Sequence, residues 1–261
     1  MGKISAVVNT YNAEKYLDKV LQSLQGFDEI VVCDMESTDN TLVIADNYGC
    51  KIVRFPKDKY TFVEPARNFA IQSASNDWIL VVDADEIIPQ ELREYLYNLV
   101  VEPTQLGGLY IPRKNFFMGR FMPCYYPDYI LRFLRKEGAL WEEKVHSIPT
   151  VNGKIERIPK ERKELAIIHL ANDSYYESIR KMNEYTENER LKRAPKYHFG
   201  QMLYAPLFRF FKTYILKGGF RAGRAGFIHA VFDAQYHFNA LAKIEETRQI
   251  SRANKDIDKY L

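Results

Sequence analysis

The spacing of hydrophobic residues in the first hundred positions alternates between two periods, one typical of strands and one typical of helices. Short runs rich in β-branched residues predict strands at 4–8, 29–33, 51–55 and 78–82. Between them, apolar residues recur every three or four positions and predict four helices. Three are predicted at 13–24, 65–74 and 89–100, and one begins at capping residues 37–39 and ends near residue 48. Asn12 is predicted to cap the first helix. Repeated β-α-β units of this length imply a parallel sheet with helices on both faces.

After Pro103 the pattern changes to short strands separated by turns, predicted at 107–112, 129–134, 154–158 and 165–170. These strands suggest an antiparallel extension of the sheet. From Ser174 onward the spacing is helical, with helices predicted at 175–193, 203–216 and 227–250. We therefore expect three regions, 1–104, 105–172 and 173–261, that pack as one body.

The composition of the 261 residues, 46% hydrophobic and 27% charged, is that of a globular protein. Cys33, Cys50 and Cys124 have no CxxC spacing, so neither a disulfide framework nor a structural zinc site is expected. The N-terminus becomes polar too early for a signal peptide, and no stretch approaches 18 apolar residues. We expect a protein of the reducing cytoplasm.

Positive charge is concentrated in one segment. The window 190–224 contains nine Lys or Arg residues and no Asp or Glu, although the whole chain carries only +3. Aromatic residues are interleaved with these bases, a combination that suits either an anionic membrane surface or a nucleic acid. On a helix over 204–214, Leu207, Phe208 and Phe211 would share one side, an arrangement that favours a membrane surface. The alternative is an ordinary helix with solvated basic positions.

Polar clusters follow the first strands at 9–12, 34–39, 64–68 and 83–86, and ligands of open α/β sheets bind at the carboxyl ends of strands. Asp83, Asp85 and Glu86 would repel one another unless a cation such as Mg²⁺ or Mn²⁺ lies between them. A solvated acidic turn that caps the next helix is the alternative. Asp34 is suited to accept a hydrogen bond from a base imide, and Arg67 to pair with phosphate, although each also fits an ordinary surface role.

Neither a G-x-G-x-x-G motif nor a P-loop follows the first strand, so side chains and loop backbone would have to hold a nucleotide. A nucleotidyltransferase would want a Gly-rich, basic loop there, and NTYNAEKY supplies neither feature.

Three segments, VVNTYNAEKYLDKVLQSL, DEIVVCDMESTDNT and ARNFAIQSASNDWILVVDADE, resemble the family-2 glycosyltransferases with the GT-A fold. Later motifs resemble the small lipopolysaccharide core glycosyltransferases within that family: IPRKNFFMGRFM, YPDYILRFLRK, Trp141 followed by Val145-His146, and YILKGGFRAG. The resemblance implies a Rossmann-like, mainly parallel sheet with an antiparallel extension and a C-terminal helical region. Region 1–104 would bind the nucleotide sugar, 105–172 would face the acceptor, and 173–261 would be amphipathic and helical.

The activity implied by the resemblance is an inverting, metal-dependent transfer of a hexose from a nucleotide-diphosphate sugar, with UDP as the expected nucleotide. Mn²⁺ or Mg²⁺ would be the cofactor. The acceptor would be a glycolipid or surface polysaccharide, such as a lipopolysaccharide or lipooligosaccharide core or a capsule-like chain. The enzyme would be cytoplasmic and peripheral on the inner face of the membrane, without a nucleic-acid partner, and a homodimer is conceivable. The alternative is a non-catalytic lipid- or protein-binding member of the same fold.

The resemblance also implies roles for particular residues. Those expected to bind the nucleotide sugar are Thr10, Tyr11, Asn12, Glu14, Asp34, Arg67, Asp83, Ala84 and Asp85. The expected metal ligands are Asp85, Asp83 and His146. The usual V-H-E motif, whose Glu is a natural catalytic base, is here Val145-His146-Ser147. The remaining catalytic candidates are Glu142, Glu143, Asp128 and His146.

Two further basic positions have expected roles. The loop containing Arg113, Lys114 and Asn115 would face the acceptor by the same resemblance, or form an ordinary hairpin with a basic tip. Arg132, which alternates with apolar residues on a predicted strand, would contact phosphate or pair with a carboxylate such as Glu137.

Overall fold

The computed structural model describes residues 2–57, 63–101, 105–142, 148–170, 175–194 and 197–257. These residues group into two compact units. The first comprises Met1–Asn115 and Tyr126–Leu170, and the second comprises Phe116–Tyr125 and Ala171–Leu261. Three positions of the predicted catalytic segment, Glu143, His146 and Ser147, lie outside the described residues.

Strands and helices alternate along the first hundred residues, as their hydrophobic spacing predicts. They are β1 (Ile4–Thr10), α1 (Glu14–Ser23), β2 (Glu29–Asp34), α2 (Thr41–Asn47), β3 (Lys51–Arg54), α3 (Glu64–Ser73), β4 (Trp78–Asp83), β5 (Glu86–Ile87) and α4 (Gln90–Leu99). The predicted cap of α1 is wrong. Ala13 is the N-cap residue, whereas Asn12 adopts a left-handed conformation with φ of 48°.

The second set of strands is β6 (Leu106–Phe117), β7 (Arg120–Phe121), β8 (Asp128–Arg135), β9 (Lys154–Arg157) and β10 (Ile167–His169). β6 is twice as long as its predicted core of 107–112. Arg113, Lys114 and Asn115 therefore lie in a strand rather than in the expected loop. The turn that follows β6 is at Met118 and Gly119, which both have positive φ.

The main sheet has the strand order β3-β2-β1-β4-β8-β6-β10-β5, with β9 also paired to β6. β1, β2, β3 and β4 pair in parallel, whereas β8 is antiparallel to both β4 and β6. This arrangement confirms the mainly parallel sheet with an antiparallel extension. The extension is more mixed than expected, because β9 and β10 both run parallel to β6.

Apolar side chains cover both faces of the parallel strands. In β4, Leu80 and Val82 belong to one core cluster, and Ile79 and Val81 belong to the other, as the two-residue period of a strand requires. Helices α1 and α4 pack on the first face and α3 on the second. Each fully buried Leu, Val or Ile side chain contributes about 1.5–3 kcal/mol. The polar ends of the strands are thus held on a rigid scaffold.

The second unit is helical, which confirms the predicted C-terminal helical region. It contains α5 (Tyr175–Arg193), α6 (Gly200–Phe211), a π-helical turn (Lys212–Leu216), a 3-10 helix (Gly219–Ala222) and α7 (Gly223–Ile257). Gly226 lies so close to Gly219 that a Cβ on it would come within 1.9 Å of the Gly219 carbonyl oxygen, so only glycine fits. Among the described helices, we find none that combines the length and the apolar composition of a membrane span.

All three cysteines lie among the described residues and carry free thiols. Cys33 and Cys124 are buried, and Cys50 is half-buried. Burial raises the pKa of the Cys33 thiol to about 12 and that of Cys50 to about 11.

Candidate active site

The carboxyl ends of β1, β2 and β4 meet at one edge of the sheet. In the strand register, Thr10 is aligned with Asp34, and Asn9 is aligned with Asp83. Neighbouring strands of a sheet lie roughly 4.8 Å apart, so these polar residues are close neighbours. The structure thus brings together the strand-end residues that the sequence points to.

Asp34 is a buried carboxylate with fixed orientation. Thr10 donates a hydrogen bond from Oγ1 to Asp34 Oδ1 over 3.1 Å, and the backbone N–H of Ser37 donates to Oδ2 over 3.0 Å. A carboxylate has about four lone-pair positions, so each oxygen can accept a further bond. Asp34 is therefore an oriented acceptor at the sheet edge.

The loops after β1 and β2 are joined by side-chain hydrogen bonds. Asn12 receives a bond on Oδ1 from the Thr38 backbone, and its own N–H donates to Ser37 Oγ over 2.9 Å. Glu14 accepts bonds from the backbone and side-chain nitrogens of Asn40, which precedes α2. In this structure both residues hold the two loops in place. Their predicted contact with a nucleotide base remains a prediction.

Tyr11 is 45% exposed beside these loops. The Lys57 ammonium lies 3.1 Å from the centroid of its ring, a cation–π contact. The ammonium covers one face of the ring, which leaves the other face for a planar base.

Asp83, at the end of β4, is held between two arginines. Arg67 Nη2 donates to Asp83 Oδ1 over 2.8 Å, and Arg132 Nη2 donates to Oδ2. Burial alone would raise the pKa of the Asp83 carboxyl, but the charges of Arg132 and Arg67 outweigh it and hold the pKa well below its usual range. Arg132 thus pairs with Asp83 rather than with Glu137. Two guanidinium groups and one carboxylate leave this cluster with one net positive charge.

Asp85 lies beside a histidine that belongs to none of the sequence motifs described above. His169, the last residue of β10, places Nε2 3.3 Å from Asp85 Oδ2. His169 Nδ1 lies 2.7 Å from Asn115 Oδ1, and Asn115 Nδ2 donates to Asp128 Oδ2 over 2.9 Å. Because the Asn115 amide nitrogen faces a carboxylate, its oxygen faces His169 and accepts a hydrogen bond from Nδ1–H. The other ring nitrogen, Nε2, is directed toward Asp85.

Arg113 connects the same network to a buried acid. Its guanidinium donates to Glu86 Oε1 over 3.0 Å and to Asp128 Oδ2 over 2.7 and 2.9 Å. Glu86 is fully buried and also accepts the backbone N–H of Asp83. Burial tends to lower the pKa of Arg113, but the two carboxylates outweigh it and raise the pKa. Arg113 is therefore a permanent cation that fixes Glu86 and Asp128.

Asp128 and Glu142 are the two catalytic candidates with described positions. The bonds that Asp128 receives from Arg113 and Asn115 all end on Oδ2. Glu142 is exposed and follows Trp141, whose backbone exchanges two hydrogen bonds with the Asn68 side chain over 2.9 and 2.8 Å. Asn68 thus fixes the chain at Trp141, one residue before the predicted catalytic segment.

Within the described part of the chain, no three His, Cys, Asp or Glu side chains cluster closely enough to hold a metal ion. Asp85 and His169 form a pair of potential ligands. Asp83 is occupied by its two arginines, so its predicted role as a ligand remains a prediction. His146, the third predicted ligand, lies outside the described residues.

The sequence signal for His169 is weak, because a lone histidine at the end of a short apolar strand belongs to no motif. Only the pairing of β10 with β5, which aligns His169 with Glu86, brings it next to Asp85.

Comparison with known families identifies the chain. A model of the family described as "Glycosyl transferase family 2" matches residues 5–148, which include β1 to β8 and the whole site except His169. The chain belongs to glycosyl transferase family 2. Family membership makes the chain a transferase enzyme. Family membership and the observed sheet both agree with the predicted GT-A fold.

Two relatives of this family-2 glycosyltransferase match over nearly their whole length. The lipopolysaccharide core biosynthesis glycosyltransferase LpsC of Rhizobium meliloti is 27% identical over 99% of this chain and 97% of its own. A glycosyltransferase of Rickettsia typhi is 27% identical over 100% of this chain and 93% of its own. Both matches agree with membership of the glycosyltransferase family, and the Rhizobium meliloti protein is the one named for lipopolysaccharide core biosynthesis.

Among solved structures, this glycosyltransferase is similar to glucosyl-3-phosphoglycerate synthase from Mycobacterium tuberculosis, determined with Mn²⁺, UDP and glucosyl-3-phosphoglycerate. The two are 24% identical, and the similarity covers 45% of each chain with a TM-score of 0.35. The similarity therefore spans less than half of either chain.

Proposed function

We propose that this family-2 enzyme is an inverting, metal-dependent glycosyltransferase that moves a hexose from UDP-hexose to a glycolipid or surface-polysaccharide acceptor. The observation that supports this function best is the convergence of Asp85 and His169 at the sheet edge, beside the oriented Asp34 and the net positive Asp83 cluster. The glycolipid or polysaccharide acceptor is supported by the similarity to the lipopolysaccharide core enzyme of Rhizobium meliloti.

A divalent metal fits the Asp85–His169 pair. An imidazole nitrogen and a carboxylate oxygen are both common metal ligands, and His169 Nε2 lies 3.3 Å from Asp85 Oδ2. Mg²⁺ and Mn²⁺ are often held by one or two protein ligands plus substrate phosphate oxygens. Asp85 and His169 would hold the ion, and the ion would supply positive charge that stabilises the departing diphosphate.

Asp34 supports a uracil base, because a carboxylate accepts hydrogen bonds and uracil presents an imide N–H. Guanine N1–H and the cytosine amino group are donors as well, so the test below includes GDP and CDP. Tyr11 would stack on the base. Arg67 and Arg132 together carry one charge more than Asp83 neutralises, and this excess favours the diphosphate.

The acceptor hydroxyl must lose a proton as its oxygen attacks the anomeric carbon from the face opposite the diphosphate. We assign this role to Asp128 among the described candidates. Arg113 and Asn115 hold one of its oxygens in place, and Oδ1 makes no hydrogen bond to the described residues. Glu142 and Glu143 are the competing bases.

The nucleotide and metal are tested together by thermal shift. UDP, GDP, CDP and ADP are each added with Mn²⁺, Mg²⁺ or EDTA; a ligand at 100 times its Kd stabilises by about 2.7 kcal/mol. We expect a shift with UDP that EDTA abolishes and that Asp85→Asn loses. Asp46→Asn, an exposed aspartate of α2, is the matched control. The proposal is wrong if no nucleotide shifts the melting temperature. A non-catalytic lipid- or protein-binding role would then take its place.

The base is tested by turnover of UDP-hexose with a glycolipid extract as acceptor. We expect Asp128→Asn to lower kcat by about 10²–10⁴-fold while UDP binding persists, because general bases contribute rate factors of this size. Arg113 keeps Glu86 as a partner in this variant, so the fold should tolerate the change. A comparable loss in Glu142→Gln or Glu143→Gln, with Asp128→Asn active, would move the role to that glutamate.

We also propose that the enzyme is peripheral on an anionic membrane. Helix α6 has no buried residue, and Leu203, Leu207 and Phe208 are 58–73% exposed. Arg209, Lys212, Lys217, Arg221 and Arg224 lie on or just after it without an intervening acid. An exposed apolar surface bordered by bases matches the hydrocarbon boundary and the phosphates of anionic lipids. Such an enzyme would meet a lipid-linked acceptor at the surface where it is made.

A further inference from the structure

The second unit contains a pocket of about 470 Å³, to which none of the predicted transfer-site residues contributes. Its lining comes from α5, α6, α7 and Tyr125, all within this unit. Small-molecule sites typically have volumes of about 300–1,000 Å³ and combine aromatic walls with a few polar groups. The pocket has both features.

Aromatic rings form one part of the lining. Tyr125, Phe232 and Tyr236 all contribute to it. The His229 ring lies edge-on to Tyr125, with 5.0 Å between their centroids, and 4.9 Å from Phe117. These contacts fix the orientation of the imidazole.

A buried ion pair forms the polar part. Asp233 is 8% exposed, and its Oδ2 accepts hydrogen bonds from Arg209 Nε over 2.8 Å and from Thr213 Oγ1 over 2.5 Å. Among the described residues, Asp233 Oδ1 and the two terminal nitrogens of Arg209 have no hydrogen-bond partner. The pocket therefore offers one oriented acceptor and up to four N–H donors side by side.

His229 adds two more polar atoms that the described residues leave unsatisfied. Both ring nitrogens are buried, and neither has a hydrogen-bond partner in the described part of the chain. Burial lowers the pKa of His229, although the Asp233 charge partly opposes it, so the ring is neutral at neutral pH and presents one donor and one acceptor. Both nitrogens are shielded from solvent, so a hydroxyl in the pocket bonds to His229 only after the ring turns toward the cavity, and that bond would satisfy a nitrogen that is otherwise without a partner.

We propose that this pocket binds a neutral saccharide ring. Sugar hydroxyls both donate and accept, as Asp233, Arg209 and His229 require, and the apolar C–H face of a pyranose can pack on Phe232 or Tyr236. Phosphate fits less well, because the lining carries two carboxylates, Asp233 and Glu189, against one permanent cation. If the proposed transferase function holds, the natural occupant is a sugar unit of the glycan acceptor.

The test is saturation-transfer NMR on the full chain with methyl glycosides of glucose, galactose, mannose and N-acetylglucosamine. At least one glycoside should receive saturation, and His229→Phe and Phe232→Ala should each weaken its binding by about tenfold or more. Phe238→Ala, an exposed aromatic residue of the same helix outside the lining, should leave binding unchanged. His229→Phe keeps the ring volume, so its melting temperature should not fall.

Three results would overturn the inference. The first is the absence of saturation transfer to every glycoside, and the second is a signal that both pocket variants leave intact. The third is displacement of the glycoside by inorganic phosphate at equal concentration, which would indicate an anion site. UDP binding is measured in the same samples. Glycoside binding without a UDP shift would contradict only the transferase proposal, and a UDP shift without glycoside binding would contradict only the saccharide pocket.

Discussion

The Asn115 side chain contacts two residues of the proposed site. It accepts from His169 Nδ1 and donates to Asp128, so one amide orients both a ligand and the proposed base. Outer partners of this kind typically change metal affinity by about 10–100-fold when removed.

We therefore predict that Asn115→Ala raises the Kd for Mn²⁺ by about 10–100-fold, because the His169 ring loses its fixed tautomer and orientation. Electron paramagnetic resonance of free Mn²⁺ measures the affinity directly. Asn47→Ala, an exposed position at the end of α2, is the control. An unchanged Kd in Asn115→Ala, with weakened binding in His169→Ala, would show that Asn115 does not position the ligand.

His229 carries a second prediction, on stability. Its pKa in the folded chain lies below the unfolded value of about 6.5, so the unfolded state binds more protons as the pH falls through this range. Stability should therefore decrease below about pH 6.5. The other charged or titratable groups of the pocket are Tyr125, Glu189, Arg209, Asp233, Tyr236 and His237.

His229→Phe removes this proton linkage together with two unsatisfied nitrogens. We expect it to stabilise the chain by roughly 1 kcal/mol at pH 8 and by more at pH 5.5. Urea denaturation at both pH values measures the difference. A gain that is larger at pH 8 than at pH 5.5 would mean that His229 is not the neutral, buried group described above.

At this scale, the sequence predicts residues that directly follow strands and misses residues whose partners are distant in the chain. Asp34 and Asp83 are recognisable because each ends an apolar run. For Arg132 the sequence predicts an anionic partner without identifying Asp83, and His169 belongs to no motif, because the partners Asp83 and Asp85 lie 49 and 84 positions away and meet these residues only through strand pairing.

Helix α6 has large apolar side chains that packing within its own unit leaves exposed. Phe208 and Phe211 are 58% and 48% exposed, although burying a phenylalanine is worth about 1.5–3 kcal/mol. A helix with such exposed apolar side chains is expected to gain stability from an apolar environment outside the chain.

We predict that replacing both Phe208 and Phe211 by Ser weakens binding to vesicles of phosphatidylserine and phosphatidylcholine by tenfold or more. A tenfold loss corresponds to about the free energy gained by partly burying one phenyl ring. Co-sedimentation with vesicles measures the bound fraction. Tyr176→Ser, at an aromatic position of α5 that is 76% exposed, is the control. Equal sedimentation of the double variant and the original chain would contradict the membrane proposal.

The predicted elements follow the structure closely where a local period determines them, and less closely elsewhere. Strands β1 to β4 and helix α5 have nearly their predicted bounds. β6 exceeds its prediction by six residues, because its second half contains charged and aromatic residues that only its pairing with β8 and β10 makes a strand. The parallel pairing of β9 and β10 with β6 has no local signature.

The whole chain divides its charges unevenly, and the division follows its two units. The first unit gathers acids at the sheet edge and pairs Asp83, Glu86 and Asp128 with arginines. The second contains the whole basic window at 190–224 and the exposed aromatic residues of α6. The proposed nucleotide site and the proposed membrane surface thus lie in different units of the chain.

The free thiols have a practical consequence for studying this enzyme. With a pKa near 11 or 12, Cys50 and Cys33 are deprotonated in roughly one molecule in ten thousand or fewer at pH 7, and only the thiolate attacks maleimide. Cys124 is buried, and burial raises its pKa as well. A cysteine introduced at an exposed α6 position such as Leu207 would therefore react far faster than the native three. A single environment-sensitive dye could then report whether α6 enters a lipid bilayer, without first removing any native residue.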